Sequence, residues 1–389
     1  MKVGQIGNCK TNTLAEIWNS PAQMKLRIDM LTETDNPACG RCYEQEQSGF
    51  FSGRKSANKH HGHHIDRVCA TDHSGHTEQF EMTHWILRFS NLCNLSCRSC
   101  GHIFSSSWYK DQTVLAGPAW ASQNKPLNHA GHFATDMWEQ LIDHIDHVEQ
   151  IYFAGGEPLM SGETRKLIDW FKENQGRSQT RLAINSNLGM DRDKLHEFVE
   201  RVRDIPHLEI YTSCEATGSA AEYIRDGLDY DLWMHNVQEL LEHEHIRAVH
   251  VMCTINALCL ETLPEFLTQL VKLKKVYGTQ RVNFTLNILH FPSFQSPLVL
   301  SPSLLLAARN QLIMWEESVS NRSACQEFEL NHVRRLIDYL KIVRTLHSDT
   351  FDMPKLHNDF RQFFDQYDIQ RNKNFNSTFP NLKEWYHTL

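Results

Sequence analysis

Short apolar runs rich in β-branched and aromatic residues recur through the middle of the chain, each followed by a stretch whose apolar positions repeat every three to four residues. The runs predict strands at Trp85–Phe89, Gln150–Ala154, Arg181–Asn185, Leu208–Thr212, Ala248–Thr254 and Val282–Leu289. The stretches between them predict helices at Asp136–Val148, Gly162–Glu173, Arg192–Arg203, Asp231–Glu244 and Leu260–Tyr277. This alternation is the pattern of a βα-repeat, with parallel strands buried under helices in either a partial barrel or an open doubly wound sheet. Two zones depart from it. Residues 1–75 are polar, with an amphipathic segment at Leu14–Leu31 and a loop-like run of Gly, Ser and His, and they hold too little apolar material for a large core. After Ser301 the pattern is helical to about Gln370. The reading is therefore an accessory module over 1–75, a core over 76–300 and a helical extension over 301–389. The stretch Phe104–Ala134, rich in Ser, Trp and Gly, is expected to be a long loop beside the first strand.

Composition narrows the partners. A formal charge of −8 gives no positive field for phosphate backbones or an anionic membrane, which argues against nucleic acid. No run approaches the ~20 apolar residues of a membrane span, and the first residues lack the apolar core of a signal peptide, so a cytoplasmic protein with no membrane partner is expected. The 11 cysteines are odd in number and bunched, which in a chain of this size points to metal or redox chemistry rather than a disulfide framework.

One bunch carries the chemistry. Cys93, Cys97 and Cys100 form C-x3-C-x2-C just after the first predicted strand. Three thiolates on one loop can converge on a four-iron cubane and leave one iron without a protein ligand, free to take the amine and carboxylate of a small molecule. A structural zinc site would be closed by four ligands. In this spacing and strand-to-loop context the segment resembles the radical S-adenosylmethionine (SAM) superfamily.

That resemblance implies a partial (β/α)6 barrel, a [4Fe–4S] cluster and reductive cleavage of SAM to a 5′-deoxyadenosyl radical that abstracts hydrogen from a substrate. It implies SAM and a reductant such as ferredoxin or flavodoxin as partners. Gly155, Gly156, Glu157 and Pro158 match the family's GGEP turn, whose backbone meets the SAM amino group; glycine is expected there because a side chain would block the approach. Asn185-Ser186-Asn187 resembles the segment facing the nucleoside and ribose. Ser213-Cys214-Glu215 resembles an SxD-type strand end with Glu in place of Asp, so that Ser213 and Arg225 would hold the SAM carboxylate. Thr254 and Asn256 are further strand-end candidates, and Phe104, Trp108, Tyr109 and Trp120 could roof the pocket.

Near the N-terminus, Gly7-Asn8, Thr13–Ser20, Arg27 and Cys39-x2-Cys42 resemble a twitch or SPASM auxiliary-cluster module over residues 4–50. Such a module normally opens with a cysteine-bearing hairpin before the Gly-Asn pair, which is not within this sequence, so the module is expected to be N-terminally incomplete. Cys39 and Cys42 then supply two ligands of a second iron–sulfur cluster, to be completed by Cys9, Cys69 or the histidines of His60–His64. Phe364–Asn372 and Phe379–Leu382 resemble the family's closing segment. The implied substrate is a peptide or protein, by analogy with such modules. Two other classes stay open: an iron–sulfur electron carrier or sensor without SAM chemistry, and a zinc-binding interaction protein built on Cys39, Cys42 and the histidine run.

Overall fold

The computed structural model describes residues 6–9, 11–47, 51–109, 134–174, 179–342, 347–348 and 351–389. The chain forms two compact units, Met1–Thr83 with Gly131–Val148, and His84–Ala130 with Glu149–Leu389.

The larger unit is built on six strands: β1 (His84–Arg88), β2 (Gln150–Ala154), β3 (Arg181–Asn185), β4 (Leu208–Thr212), β5 (Ile246–Ile255) and β6 (Val282–Ile288). All neighbours are parallel, and the order in the sheet is the order in the chain. Sequential order decides between the two expected architectures. A doubly wound sheet must reverse its strand order, whereas crossovers of one hand, always advancing to the next strand, put every helix on the same face. The result is the partial (β/α)6 barrel, with β1 and β6 as its two edges.

The two faces of this sheet differ in chemistry. Ile151, Phe153, Ile184, Ile210, Val249, Val251 and Phe284 are fully buried on the outer face. Helices pack there: Trp233 of the helix Tyr230–Glu242 is itself fully buried and donates its indole N–H to Thr212 at 2.9 Å. The inner face carries Tyr152, Asn185, Glu209, Tyr211 and His250, all half-buried, and the exposed Ile86 and Arg88. Among the described residues the helices between the strands pack on the outer face, and the inner face carries this group of polar and aromatic side chains.

The helices after Ser301 belong to the same unit and begin at Pro302–Glu317. The helix Glu327–Tyr339 is joined to the β6 edge by a buried pair, in which the Lys274 ammonium donates to Glu329 at 2.9 Å and to the Val282 carbonyl at 2.6 Å. Glu329 also accepts the Phe284 N–H at 3.0 Å, so neither charge is left unsatisfied. Further on, the helix Met353–Arg371 buries Phe360 and Phe364 among Tyr223, Phe375 and Phe379, and Tyr367 against Trp108 and Arg98.

The smaller unit is a set of short helices. Leu14–Trp18 is held by a Thr13–Glu16 capping box, and Pro21–Leu31 follows after Ser20. The histidine run is not the expected loop: the helix Gly53–His61 leads into a 3-10 turn, Gly62–His64, and then the helix Ile65–Cys69. Helix propensity is carried there by Arg54, Lys55, Ala57 and Lys59, which outweigh the flanking glycines. Among the described residues, no helix is long and apolar enough to cross a membrane.

Candidate active site

The segment from Phe89 to Cys100 leaves β1 and has no regular secondary structure, so each of its polar backbone groups needs a partner from elsewhere. The partners come from four directions. The β2 turn supplies two donors, Gly156 N–H to Ser90 O at 3.1 Å and Glu157 N–H to Leu92 O at 2.7 Å. The Ser105 hydroxyl donates to Leu95 O and that of Ser107 to Cys93 O, each at 2.6 Å. From the segment after β4, Asp226 O and Ile224 O accept the Ser96 and Arg98 N–H groups at 2.8 Å. Gln295 donates to Arg98 O at 2.9 Å. The loop is thus held by the protein's own hydrogen bonds.

On this frame Cys97 is buried and Cys93 and Cys100 are half-buried. Cys97 and Cys100 hydrogen-bond to each other, which holds the Cys97 thiol up and the Cys100 thiol below its ordinary value. Burial pushes Cys93 up to about 11. Donors nevertheless point at the sulfurs: Leu95 N–H lies 3.5 Å and the Asn187 amide 3.7 Å from Cys93, and the Arg225 guanidinium 3.9 Å from Cys97. Three thiols on one loop, faced by N–H donors, fit a cubane cluster with an open iron, whereas a structural zinc would need a fourth ligand.

The turn after β2 is tied to the same loop. Gly155 adopts φ +133°, and a Cβ there would lie 2.5 Å from Ser90 O; at Gly156 it would collide with Leu92 O and the Asn91 carbonyl. These glycines are required by the cysteine loop pressing on them, a reason different from the ligand approach read from the motif. Glu157 is buried; it accepts the Asn187 N–H at 2.6 Å and the Leu159 N–H at 3.0 Å, and burial raises its carboxyl to about 7. It bridges the β2 and β3 ends. Pro158 opens the short turn beyond it and is buried.

At the β3 end, Asn187 reaches Asn94 at 2.7 Å as well as Cys93, while Asn185 is half-buried on the inner face. Ser213 is half-buried just past β4. Arg225 is 8% exposed, and two of its nitrogens are engaged by Glu215, from Nε at 3.2 Å and from a terminal nitrogen at 2.5 Å. Burial opposes its charge, yet Glu215 and the nearby thiols hold its pKa above the ordinary value. Asn256 caps its own turn by accepting from Leu258 and Cys259, and Thr254 N–H donates to Glu215 at 3.3 Å. Trp108 is buried against Tyr367, at 4.9 Å between ring centroids, and so packs in the core instead of roofing a pocket. Phe104 is exposed, Tyr109 accepts a hydrogen bond from Asn91, and Trp120 lies outside the described residues.

Comparison with known proteins adds a family match. Residues 2–43 match SPASM, an iron–sulfur cluster-binding domain. The chain resembles SPASM-containing radical SAM proteins. Solved structures with partial likeness include anSMEcpe with bound AdoMet, at 14% identity over 60% of each chain and TM-score 0.40. Another is Streptococcus suis SuiB bound to S-adenosylmethionine, at 11% identity over 75% of this chain and 68% of SuiB, with TM-score 0.36. The chain covers about 60% of the length of anSMEcpe, and at these TM-scores the likeness decides nothing about function. No curated protein sequence matches the chain.

In the SPASM-matched segment, Cys39 ends a 3-10 turn capped by Asn36, and Cys42 lies in the following helix Gly40–Gln47. Both are half-buried, whereas Cys9 and Cys69 are exposed. Cys39 lines a cavity of about 1320 Å³ with Tyr43, Arg54, His61 and His64. Arg27 is placed by the module itself: it donates to Trp18 O at 2.6 Å and to Gly75 O at 2.9 Å, and lies 4.4 Å over the Trp18 ring. Sequence reasoning missed the inner-face group of Tyr152, Glu209, Tyr211 and His250. Their signal was present as polar or aromatic residues at alternate strand positions.

Proposed function

We propose that the chain is a radical SAM enzyme whose cluster is held by Cys93, Cys97 and Cys100. With SAM on its open iron, such a cluster supplies the 5′-deoxyadenosyl radical that abstracts hydrogen from a substrate. The observation that carries the reading is the loop itself: its three thiols are pre-positioned by partners on four other segments, and the GGEP turn packs directly on it. The N–H groups of Gly156 and Glu157 are committed to that loop, so an ammonium arriving here would be met by carbonyl oxygens of the turn, which is the polarity a SAM amine needs. The Arg225 nitrogen facing Cys97 is the one not engaged by Glu215, and with Ser213 it would take the carboxylate end. Asn185 and Asn187 would meet the ribose. The half-buried inner face around Tyr152, Tyr211 and His250 offers a surface for a substrate, whose class, a peptide or protein, rests on the accessory module alone. Cys39 and Cys42 would supply ligands of a second cluster.

Anaerobic reconstitution with iron and sulfide, followed by dithionite and SAM, tests this reading. The enzyme consumes SAM and releases 5′-deoxyadenosine. An iron–sulfur carrier would show a cluster signal that SAM leaves unchanged, and a zinc protein would take up no iron; either result overturns the proposal.

A further inference from the structure

The Glu215–Arg225 pair lies against a cluster ligand, and its geometry is uneven. Both Nε and one terminal nitrogen of Arg225 go to the same oxygen of Glu215, which also accepts the Thr254 N–H at 3.3 Å. The other terminal nitrogen is left pointing at Cys97, 3.9 Å from its sulfur. Both side chains are buried, Glu215 at 1% and Arg225 at 8% exposure, so neither is screened by solvent. The backbone fixes the distance as well, because Ser96 and Arg98, on either side of Cys97, bond to Asp226 and Ile224, on either side of Arg225. Cys97 and Arg225 are thus held face to face by two flanking hydrogen bonds.

We propose that Glu215 is a positioning residue that aims the Arg225 cation at the Cys97 sulfur, and that this fixed cation raises the reduction potential of the cluster. The proposal rests on the reading that Cys97 is a cluster ligand. Reduction adds one electron to the cluster, and hydrogen bonds and positive charge at a ligating sulfur favour the reduced state. Glu215 is an anion close to the same site, so its charge alone would do the opposite. Its net effect is set by whether it keeps Arg225 in place, and that makes the sign of the effect diagnostic.

The test is a dithionite titration of the reconstituted full chain without SAM, followed by the paramagnetic signal of the reduced cluster, with iron content measured on the same samples. Arg225→Met should lower the midpoint potential enough to cut the reduced-to-oxidised ratio at fixed potential about tenfold, equivalent to about 59 mV for one electron. Glu215→Gln keeps an acceptor oxygen for Arg225 but removes the negative charge, and should raise the midpoint. Glu215→Ala releases Arg225 and should lower it, although it too removes an anion. Opposite shifts in the two Glu215 variants support the proposal. Upward shifts in both would make Glu215 a bare charge and overturn it, as would an unchanged midpoint in Arg225→Met. If Glu215→Ala fails to fold, Glu215→Leu, which fills the volume but offers Arg225 no acceptor, takes its place with the same expected downward shift, and an upward shift there overturns the proposal. A wild-type chain that assembles no cluster, or that keeps it after Cys97→Ala, would instead remove the reading beneath the proposal.

Discussion

Cys39 and Cys42 have the same C-x2-C spacing as Cys97 and Cys100, but the two pairs sit in different surroundings. Around Cys97, residues Leu95, Ser96 and Arg98 are 1–3% exposed, and the loop is anchored from the β2 turn, the segment after β4 and Gln295 as well as by Ser105 and Ser107. Cys39 and Cys42 lie on a 3-10 turn and the start of an eight-residue helix, next to a helix in which Asp29 is the one buried residue. The first pair is held by hydrogen bonds from buried segments of a large unit. The second is held by local caps, so a metal there would supply much of the order it needs. Spacing alone does not distinguish a prearranged site from one that forms on binding; the source of the hydrogen bonds does.

The comparison can be broken most directly at the triplet. Ala at Cys93, Cys97 or Cys100 should abolish SAM cleavage completely while circular dichroism and the thermal midpoint stay near wild type, because the loop is pinned by its backbone. Cleavage retained in any one variant would show that the prearranged loop is not the ligand carrier. Next in size is Gly156→Val. Its side chain would strike the backbone at Asn91 and Leu92, so it should lose iron along with SAM binding and cost about 3 kcal/mol of stability. Gly162→Ala is the control: a Cβ there meets nothing within 4 Å, and the change should be within about 0.5 kcal/mol. Full iron content in Gly156→Val would mean that turn and loop are not coupled.

Glu157 gives a smaller, pH-dependent effect. Its folded carboxyl titrates at about 7 against an unfolded value near 4.5, so between these values the folded state binds more protons and wild-type stability falls as pH rises. In urea titrations of the metal-free protein, the stability of wild type relative to Glu157→Gln should drop by about 1–3 kcal/mol from pH 5 to pH 8. Their offset at pH 5 measures the amide's poorer hydrogen bonding, and only the change with pH reports the buried charge. A constant offset would show that the carboxylate is solvated after all. The smallest effect is expected in the other unit. The double variant Cys39→Ala, Cys42→Ala should lose about half of the reconstituted iron, keep the triplet's SAM-dependent signal, and change metal-free stability by less than about 1 kcal/mol, as suits half-exposed side chains. Unchanged iron would leave the pair without a cluster.

Much of the fold was legible because it rests on local pattern. Strands β2, β3 and β4 fall at the residues their apolar runs indicate, and the helix Gly162–Glu173 matches its amphipathic period, fixed at its start by the Ser161 cap. The same reasoning failed at His60–His64, where glycines and histidines suggested a loop and neighbouring good helix formers prevailed. At the site, the thiol triplet and the Gly155–Pro158 turn were legible as motifs, since each is a short string of unusual residues. That the two touch was not.

The sequence by itself determined most of the elements, the cysteine loop and the residues able to carry charge, because propensity, periodicity and residue spacing act over a few neighbours along the chain. Tertiary structure alone decided which groups those residues face. It set the sequential strand order that leaves one face of the sheet polar. It placed the Asn91–Leu92 backbone against Gly156, and it joined Glu215 to Arg225 beside Cys97, more than 100 positions away. Contacts over such separations are fixed by how buried groups satisfy one another when the strands come together, and no local pattern records that pairing.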